Sequence, residues 1–180
     1  MDDQLSSELT EKAGQIRLVI FDVDGVLTDG GLYFTDDGRE MKKFNVKDGL
    51  GISLLIKNNI EVAVITGRNS VIVADRMRSL GVNHVYQGRL NKLETYENLK
   101  AALQIEDRQV AFVGDDVIDI PIMEKCGLPV AVADAHDSVI KKACWVLSKK
   151  GGDGAARQVC DVLLDSHNVT INGYEFTGRQ

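Results

Sequence analysis

The stretch that decides the fold is IRLVIFDVDG, at residues 16–25. Its first seven residues form an apolar run that ends in an acid, which is typical of a strand buried on both faces. Similar short runs recur at residues 61–66, 83–86, 109–114, 128–132 and 144–147. Segments with helical spacing separate them, at residues 48–57, 70–80 and 92–103. Because strand and helix alternate, the sequence predicts an α/β fold with a doubly wound (Rossmann-like) parallel sheet.

One segment, GLYFTDDGREMKKFNV at residues 31–46, breaks this alternation. It predicts two short strands around the turn Asp36-Asp37-Gly38, that is, a β-hairpin insertion after the first strand. A lone hairpin is marginal in water, so we expect it to pack against the domain or another subunit. The whole chain is predicted to comprise a polar N-terminal extension (1–15), a single domain that includes the hairpin (16–167) and a flexible C-terminal tail (168–180).

The composition excludes several classes of function. The 180 residues are 44% hydrophobic and 27% charged, with no apolar run near the roughly 20 residues that span a bilayer. A net charge of -6 argues against nucleic-acid binding through a basic surface. The N-terminus lacks the pattern of a secretory signal, and three widely spaced cysteines suit reduced core thiols. These features predict a cytoplasmic protein with no membrane and no nucleic-acid partner.

Chemically active residues follow the predicted strands. In an open parallel sheet, ligands bind beyond the carboxyl ends of the strands, so the residues there are expected to converge. The set comprises carboxylates, a hydroxyl and a cation: Asp22, Asp24, Thr66, Lys92, Asp115, Asp116 and Asp119. Mg²⁺ prefers oxygen ligands such as carboxylates. It can also offset the negative charge of a phosphoryl group, so that a carboxylate can approach and attack it. The pattern therefore predicts phosphoryl transfer.

Each residue type has a role in that chemistry. Asp22 and Asp115 can hold Mg²⁺, and Asp24 can protonate a leaving alkoxide and then activate water. Thr66 and Lys92 can hold the transferring oxygens. The same residues also have plainer interpretations: the aspartates could cap turns or a helix N-terminus, and Lys92 could be a solvated surface residue.

Four ordered motifs resemble those of the haloacid dehalogenase superfamily: DVDGVLT at 22–28, ITGR at 65–68, Lys92, and GDD-x-x-D at 114–119. The resemblance implies that Asp22 is a nucleophile forming a phosphoaspartate, and that Asp24 is the acid/base whose carbonyl also binds Mg²⁺. It further implies that Thr66 and Lys92 bind phosphate, that Asp115 binds the metal, and that Asp116 and Asp119 support it. The short inserts between motifs resemble those of members without a cap domain.

A closer resemblance extends over nearly the whole chain. NVKDG at 45–49, YQG at 86–88, AVADAH at 131–136 and GG-x-GA-x-R at 151–157 are similar to the phosphatases of 3-deoxy-D-manno-octulosonate 8-phosphate, in lipopolysaccharide biosynthesis. This implies a homotetramer with central hairpins and a phosphosugar acid substrate. The implied substrate contacts are Asp24, Asn45, Val46, Lys47, Asp48, Gly49, Arg68, Arg76 and Lys92.

Two departures from that family's pattern leave the substrate open. Ser53 and Asp153 stand where some relatives carry basic residues. A nine-carbon ulosonate 9-phosphate is therefore an alternative substrate. A non-catalytic scaffold with the same fold is an alternative of another class, against which the presence of Asp22, Asp24, Lys92 and Asp115 argues.

Overall fold

The computed structural model describes residues 6–169, and its centre is a parallel β-sheet. The sheet has six strands in the order β5-β4-β1-β6-β7-β8. Its members are β1 (Leu18–Phe21), β4 (Glu61–Ile65), β5 (His84–Tyr86), β6 (Val110–Gly114), β7 (Leu128–Ala131) and β8 (Trp145–Val146). A separate two-stranded sheet holds β2 (Tyr33–Phe34) and β3 (Glu40–Met41). The prediction of a doubly wound parallel sheet with a hairpin insertion is confirmed.

Helices connect the strands and cover the sheet. Within the described residues they are α1 (Ser7–Gln15), α2 (Val46–Lys57), α3 (Val71–Leu80), α4 (Lys92–Leu103), α5 (Ile120–Met123), α6 (Asp137–Ile140) and α7 (Ala155–Ser166). The helix predicted from residue 48 begins two residues earlier, because the side chain of Asn45 accepts a hydrogen bond from the Lys47 amide and caps α2. Among residues 6–169, no helix has the length and apolarity to cross a bilayer.

Helix α1 occupies part of the segment for which the sequence predicts a polar extension. Ser6 caps it by accepting a hydrogen bond from the Leu9 amide, and Leu9 and Ala13 are buried where α1 packs on α7. Two buried positions in nine residues give a weak periodic signal, so the helix escapes prediction. Residues 1–5 of that extension, and residues 170–180 of the predicted tail, lie outside the described residues.

The hairpin is shorter than predicted. Tyr33 pairs with Met41 and Phe34 with Glu40, around a turn in which Gly38 has a φ of 81°. The apolar side chains near its strands are exposed to solvent within this chain: Leu32, Tyr33, Phe34 and Met41. Phe44, beyond β3, packs against the core instead. The hairpin therefore leaves an apolar surface that its own domain does not cover.

The strand order fixes where a site can form. The first strand, β1, lies between β4 and β6, and the chain winds outward from β1 in both directions. Strands β1 and β6 are buried along their whole lengths, as their apolar runs predict. A crevice forms beyond the carboxyl ends of strands at such a reversal of winding. The residues after β1, β4 and β6 therefore surround one place.

The glycine-rich loop before α7 packs on the loop that follows β1. The Gly152 amide donates to the Val26 carbonyl (2.9 Å), and the Gly151 amide donates to Asp134 Oδ1 (3.1 Å). A Cβ atom at Gly151 would overlap the Gly25 carbonyl oxygen. The loop therefore fixes the backbone just after Asp24, and only glycine permits that approach.

Replacing Gly151 tests this packing. In Gly151→Ala the new methyl group must displace the Gly25 backbone, so we expect the free energy of unfolding to fall by about 1–3 kcal/mol. The matched control is Gly14→Ala in α1, where a Cβ would meet Ser166 at an ordinary 3.5 Å. The control should gain about 0.5–1 kcal/mol from helix propensity. Urea denaturation measures both, and equal stabilities for the two variants would contradict the packing described.

Candidate active site

Three carboxylates converge beyond the carboxyl ends of β1 and β6. Asp22 directly follows β1, Asp115 directly follows β6, and Asp119 ends a short 3₁₀ turn, Val117–Asp119. One oxygen from each lies within 4.8 Å of the others. Asp119 Oδ2 accepts hydrogen bonds from the amides of Asp115 (3.0 Å) and Asp116 (3.4 Å), which folds the turn over the strand end. The predicted convergence of acids from two strands is thus present in the structure.

A buried lysine completes this cluster. Lys92 is the first residue of α4 and only 1% exposed. Its Nζ lies 2.8 Å from Asp22 Oδ1 and 2.7 Å from Asp119 Oδ1. Burial lowers the pKa of Lys92, but the charges of Asp22 and Asp119 outweigh burial and raise the pKa above its ordinary value. Lys92 therefore stays charged and offsets part of the negative charge.

One ammonium does not balance three carboxylates. Burial raises the pKa of Asp22 to about 6, with Lys92 opposing the rise. Burial, followed by the charges of Asp22 and Asp119, raises the pKa of Asp115 to about 8. Asp115 Oδ1 is buried and has no hydrogen-bond partner. Acids that are held together in a largely buried place, with a buried Asp115 oxygen unpartnered, suit a divalent cation with oxygen ligands.

Two further residues of the predicted phosphate and metal set, Thr66 and Asp116, lie in different surroundings. Thr66 follows β4 and is buried, at the neighbouring strand end. Asp116 is exposed and caps the 3₁₀ turn, its Oδ1 accepting from the Val117 amide (2.7 Å). The motif acids thus have different surroundings: Asp119 joins the buried cluster, and Asp116 holds the turn that delivers Asp119.

Asp24 lies in a second charged group. Its carboxylate contacts the Lys42 ammonium through Oδ1, and Arg68 Nε lies 3.8 Å from Oδ2. Glu40 joins them, with its Oε1 at 2.7 Å from Arg68 Nη2 and 3.4 Å from Lys42 Nζ. Sequence reasoning missed Lys42 and Glu40. Their spacing of two along a predicted strand, which places both on one face, was the available signal.

The segment at residues 45–49 starts α2 near the hairpin. Asn45 caps α2, and the side chains of Val46 and Lys47 are exposed. Asp48 is buried and its Oδ1 accepts a hydrogen bond from the Arg157 amide (2.8 Å), so this side chain caps α7. Gly49 gives room to the half-buried guanidinium of Arg76. Contact of this segment, Arg68 and Arg76 with substrate stays a prediction.

Comparison with known proteins assigns the family. A model of haloacid dehalogenase-like hydrolases matches residues 81–159. The chain is 52% identical over 160 residues to the 3-deoxy-D-manno-octulosonate 8-phosphate phosphatase KdsC of Escherichia coli (strain K12), covering 89% of this chain and 85% of that protein.

Solved structures agree with that assignment. The crystal structure of the Yersinia pestis 3-deoxy-D-manno-octulosonate 8-phosphate phosphatase matches with a TM-score of 0.91 at 47% identity, over 94% of this chain and 91% of that chain. That of the Moraxella catarrhalis enzyme, in complex with a magnesium ion, a phosphate ion and a KDO molecule, matches with a TM-score of 0.89 at 36% identity, over 91% and 94%. The chain belongs to the 3-deoxy-D-manno-octulosonate 8-phosphate phosphatase family of haloacid dehalogenase-like hydrolases.

Proposed function

We propose that this protein hydrolyses 3-deoxy-D-manno-octulosonate 8-phosphate to the free sugar acid and phosphate, in lipopolysaccharide biosynthesis in the cytoplasm. The observation that carries the proposal is the cluster of buried Asp22, Asp119 and Lys92 with half-buried Asp115, and Asp24 two residues beyond Asp22. A scaffold protein would have no need to bring three carboxylates together where two of them are buried, because their repulsion costs stability. About half of the aligned residues are identical to those of a 3-deoxy-D-manno-octulosonate 8-phosphate phosphatase, which supports this substrate.

Magnesium fits the cluster. Asp22 and Asp115 would hold it with the backbone carbonyl of Asp24, and Asp119 and Asp116 would support these ligands. The unpartnered Oδ1 of Asp115 and the excess of negative charge support this assignment, as does the magnesium ion in the Moraxella catarrhalis structure. When bound, Mg²⁺ supplies positive charge that reduces the repulsion between the phosphoryl oxygens and the attacking carboxylate.

The chain's own residues then perform two steps. A carboxylate oxygen of Asp22 bonds to phosphorus while the bond between phosphorus and the sugar oxygen breaks, and Asp24 gives that oxygen a proton. This step yields the sugar alcohol and a phosphorylated Asp22. Asp24, now a carboxylate, takes a proton from water as the water attacks phosphorus, which releases phosphate and frees Asp22. Lys92 keeps Asp22 positioned by their 2.8 Å contact, and Thr66 and Lys92 are proposed to hold the transferred oxygens.

Specificity for an acidic sugar is assigned to nearby cations. Arg68 is 46% exposed at its side chain and reaches Asp24, so a ligand at Asp24 would meet its guanidinium. Arginine suits a carboxylate because its planar donors can bind both oxygens. Lys47, exposed at the start of α2, and Arg76 are proposed to complete the substrate contacts, with Asn45, Val46, Asp48 and Gly49.

Phosphate release from a substrate panel tests the proposal. We expect the 8-phosphate of 3-deoxy-D-manno-octulosonate to give the highest kcat/KM, ahead of a nine-carbon ulosonate 9-phosphate and neutral phosphosugars. Asp22→Asn should lower turnover by at least about 10⁴-fold, since the nucleophile is lost. The matched control, Asp75→Asn at an exposed position of helix α3, should retain it. Equal turnover of neutral phosphosugars would refute the substrate, and an active Asp22→Asn enzyme would refute the mechanism.

Removal and return of magnesium tests the metal site. Chelation should abolish phosphate release, and Mg²⁺ should restore it. Thermal unfolding gives an independent measurement: Mg²⁺ at 100 times its Kd should stabilise the wild-type protein by about 2.7 kcal/mol. In Asp115→Asn the site loses a charged ligand, so the stabilisation at the same concentration should fall sharply. An Asp115→Asn protein that responds to Mg²⁺ like the wild type would contradict the proposed ligands.

We also propose that the protein is a homotetramer whose hairpins meet at the centre. The exposed apolar side chains of Leu32, Tyr33, Phe34 and Met41 support this, because such patches usually mark interaction sites. A neighbouring subunit would then cover part of the active site in place of a cap domain.

Light scattering after size exclusion tests the assembly. The double variant Leu32→Ser, Phe34→Ser should shift the mass from tetramer towards monomer, because it removes apolar contacts at the hairpin. The control, Val146→Ser on edge strand β8, replaces another exposed apolar residue and should stay tetrameric. A monomeric wild-type protein with full activity would refute the proposal.

A further inference from the structure

The side chain of Lys42 is buried although the residue lies on an exposed hairpin. Its side chain is 1% exposed, whereas that of the next residue, Lys43, is 67% exposed. Lysine is almost never fully buried unless it is paired, because loss of hydration disfavours its charged form. The pairing here is with Asp24, supported by Glu40. The fold therefore brings a hairpin lysine to the carboxylate that follows the nucleophile by two residues.

The contacts of Asp24 distinguish its two oxygens. Lys42 holds Oδ1, and Arg68 Nε lies 3.8 Å from Oδ2, beyond hydrogen-bonding distance. Arg68 is itself held by Glu40 at 2.7 Å. The Asp24 carboxylate is therefore fixed through one oxygen, while the other is left for a further partner.

We propose that Lys42 is a positioning residue for the reaction: it holds Asp24 by Oδ1 so that Oδ2 delivers the proton to the departing sugar oxygen. This inference rests on the proposed phosphatase function. As the bond between Asp22 and phosphorus forms, the bond from phosphorus to the sugar oxygen breaks, and the Oδ2 proton moves to that oxygen to give a hydroxyl. Asp24 is left as a carboxylate, whose new charge faces the Lys42 ammonium and is stabilised by it.

The chemistry of the leaving group tests this role. A sugar alkoxide needs a proton to leave, whereas p-nitrophenolate is a stable anion that leaves without one. For both esters, kcat/KM reports the steps up to the first phosphoryl transfer. Loss of Asp24 positioning should therefore slow the alkyl ester selectively, and damage to the fold or to the metal site should slow both esters alike.

The experiment compares Lys42→Met, Lys42→Arg and Lys43→Met with the wild-type protein, all with Mg²⁺. We expect Lys42→Met to lower kcat/KM for the sugar acid phosphate by at least about 10-fold, part of the 10²–10⁴-fold of general acid catalysis, and to lower that for p-nitrophenyl phosphate by less than about 3-fold. Lys42→Arg, which keeps the charge, should recover much of the loss. Lys43→Met, next in the chain, should match the wild type on both esters.

Two results would overturn the proposal: equal losses on both esters, or no loss on either. Thermal denaturation of each variant identifies misfolding, and if Lys42→Met does not fold, Lys42→Arg and Lys42→Gln provide the same comparison. Failure of the proposed function is separate, because it appears in the wild-type protein. If the wild type leaves the sugar acid phosphate intact, the substrate is wrong, and the Lys42 comparison uses another primary alkyl phosphate that the enzyme hydrolyses.

Discussion

The contact of the buried Lys92 ammonium with Asp22 and Asp119 is the interaction on which the site depends. It joins the start of α4 to the end of β1 and to the 3₁₀ turn that follows β6, so one side chain ties together three separate parts of the chain. Removing one partner of a buried pair usually destabilises strongly, because the other charge is left unpaired. This pair lies in a cluster where the carboxylates outnumber the ammonium and negative charge is in excess. Such an imbalance is reasonable where a cation and a phosphate dianion are to be bound in turn.

The sheet could be predicted from the sequence because its strands are buried on both faces. Each is then a short apolar run, and the run ending at Asp22 also gives the position of the proposed nucleophile. Helix α1 and the two-residue strands of the hairpin were harder to predict, for different reasons. The buried face of α1 consists of Leu9 and Ala13, which a polar segment conceals. The extent of the hairpin depends on packing, and its apolar side chains remain largely exposed within the chain.

The acid cluster was predictable for a geometric reason: parallel strands deliver the residues that follow them to one edge. The contacts that these residues make were harder to predict from the sequence. That Asp48 caps α7 follows from the docking of two helices over 100 residues apart in the chain, and no local pattern encodes it. Likewise, Lys42 reaches Asp24 through the register and tilt of the hairpin. Residue types at strand ends thus indicate the chemistry, whereas the contacts that orient them come from tertiary structure.

The hairpin has consequences beyond its own stability. It leaves Leu32 and Phe34 exposed to solvent, while Lys42, just beyond β3, contacts Asp24, the proposed proton donor, and Glu40 pairs with Lys42. A pair of two-residue strands is too small to hold its own shape in water. Its order, and with it the orientation of Asp24, would then depend on what covers these apolar side chains. If neighbouring subunits cover them, dilution that separates the subunits would lower the specific activity while the central sheet remains folded.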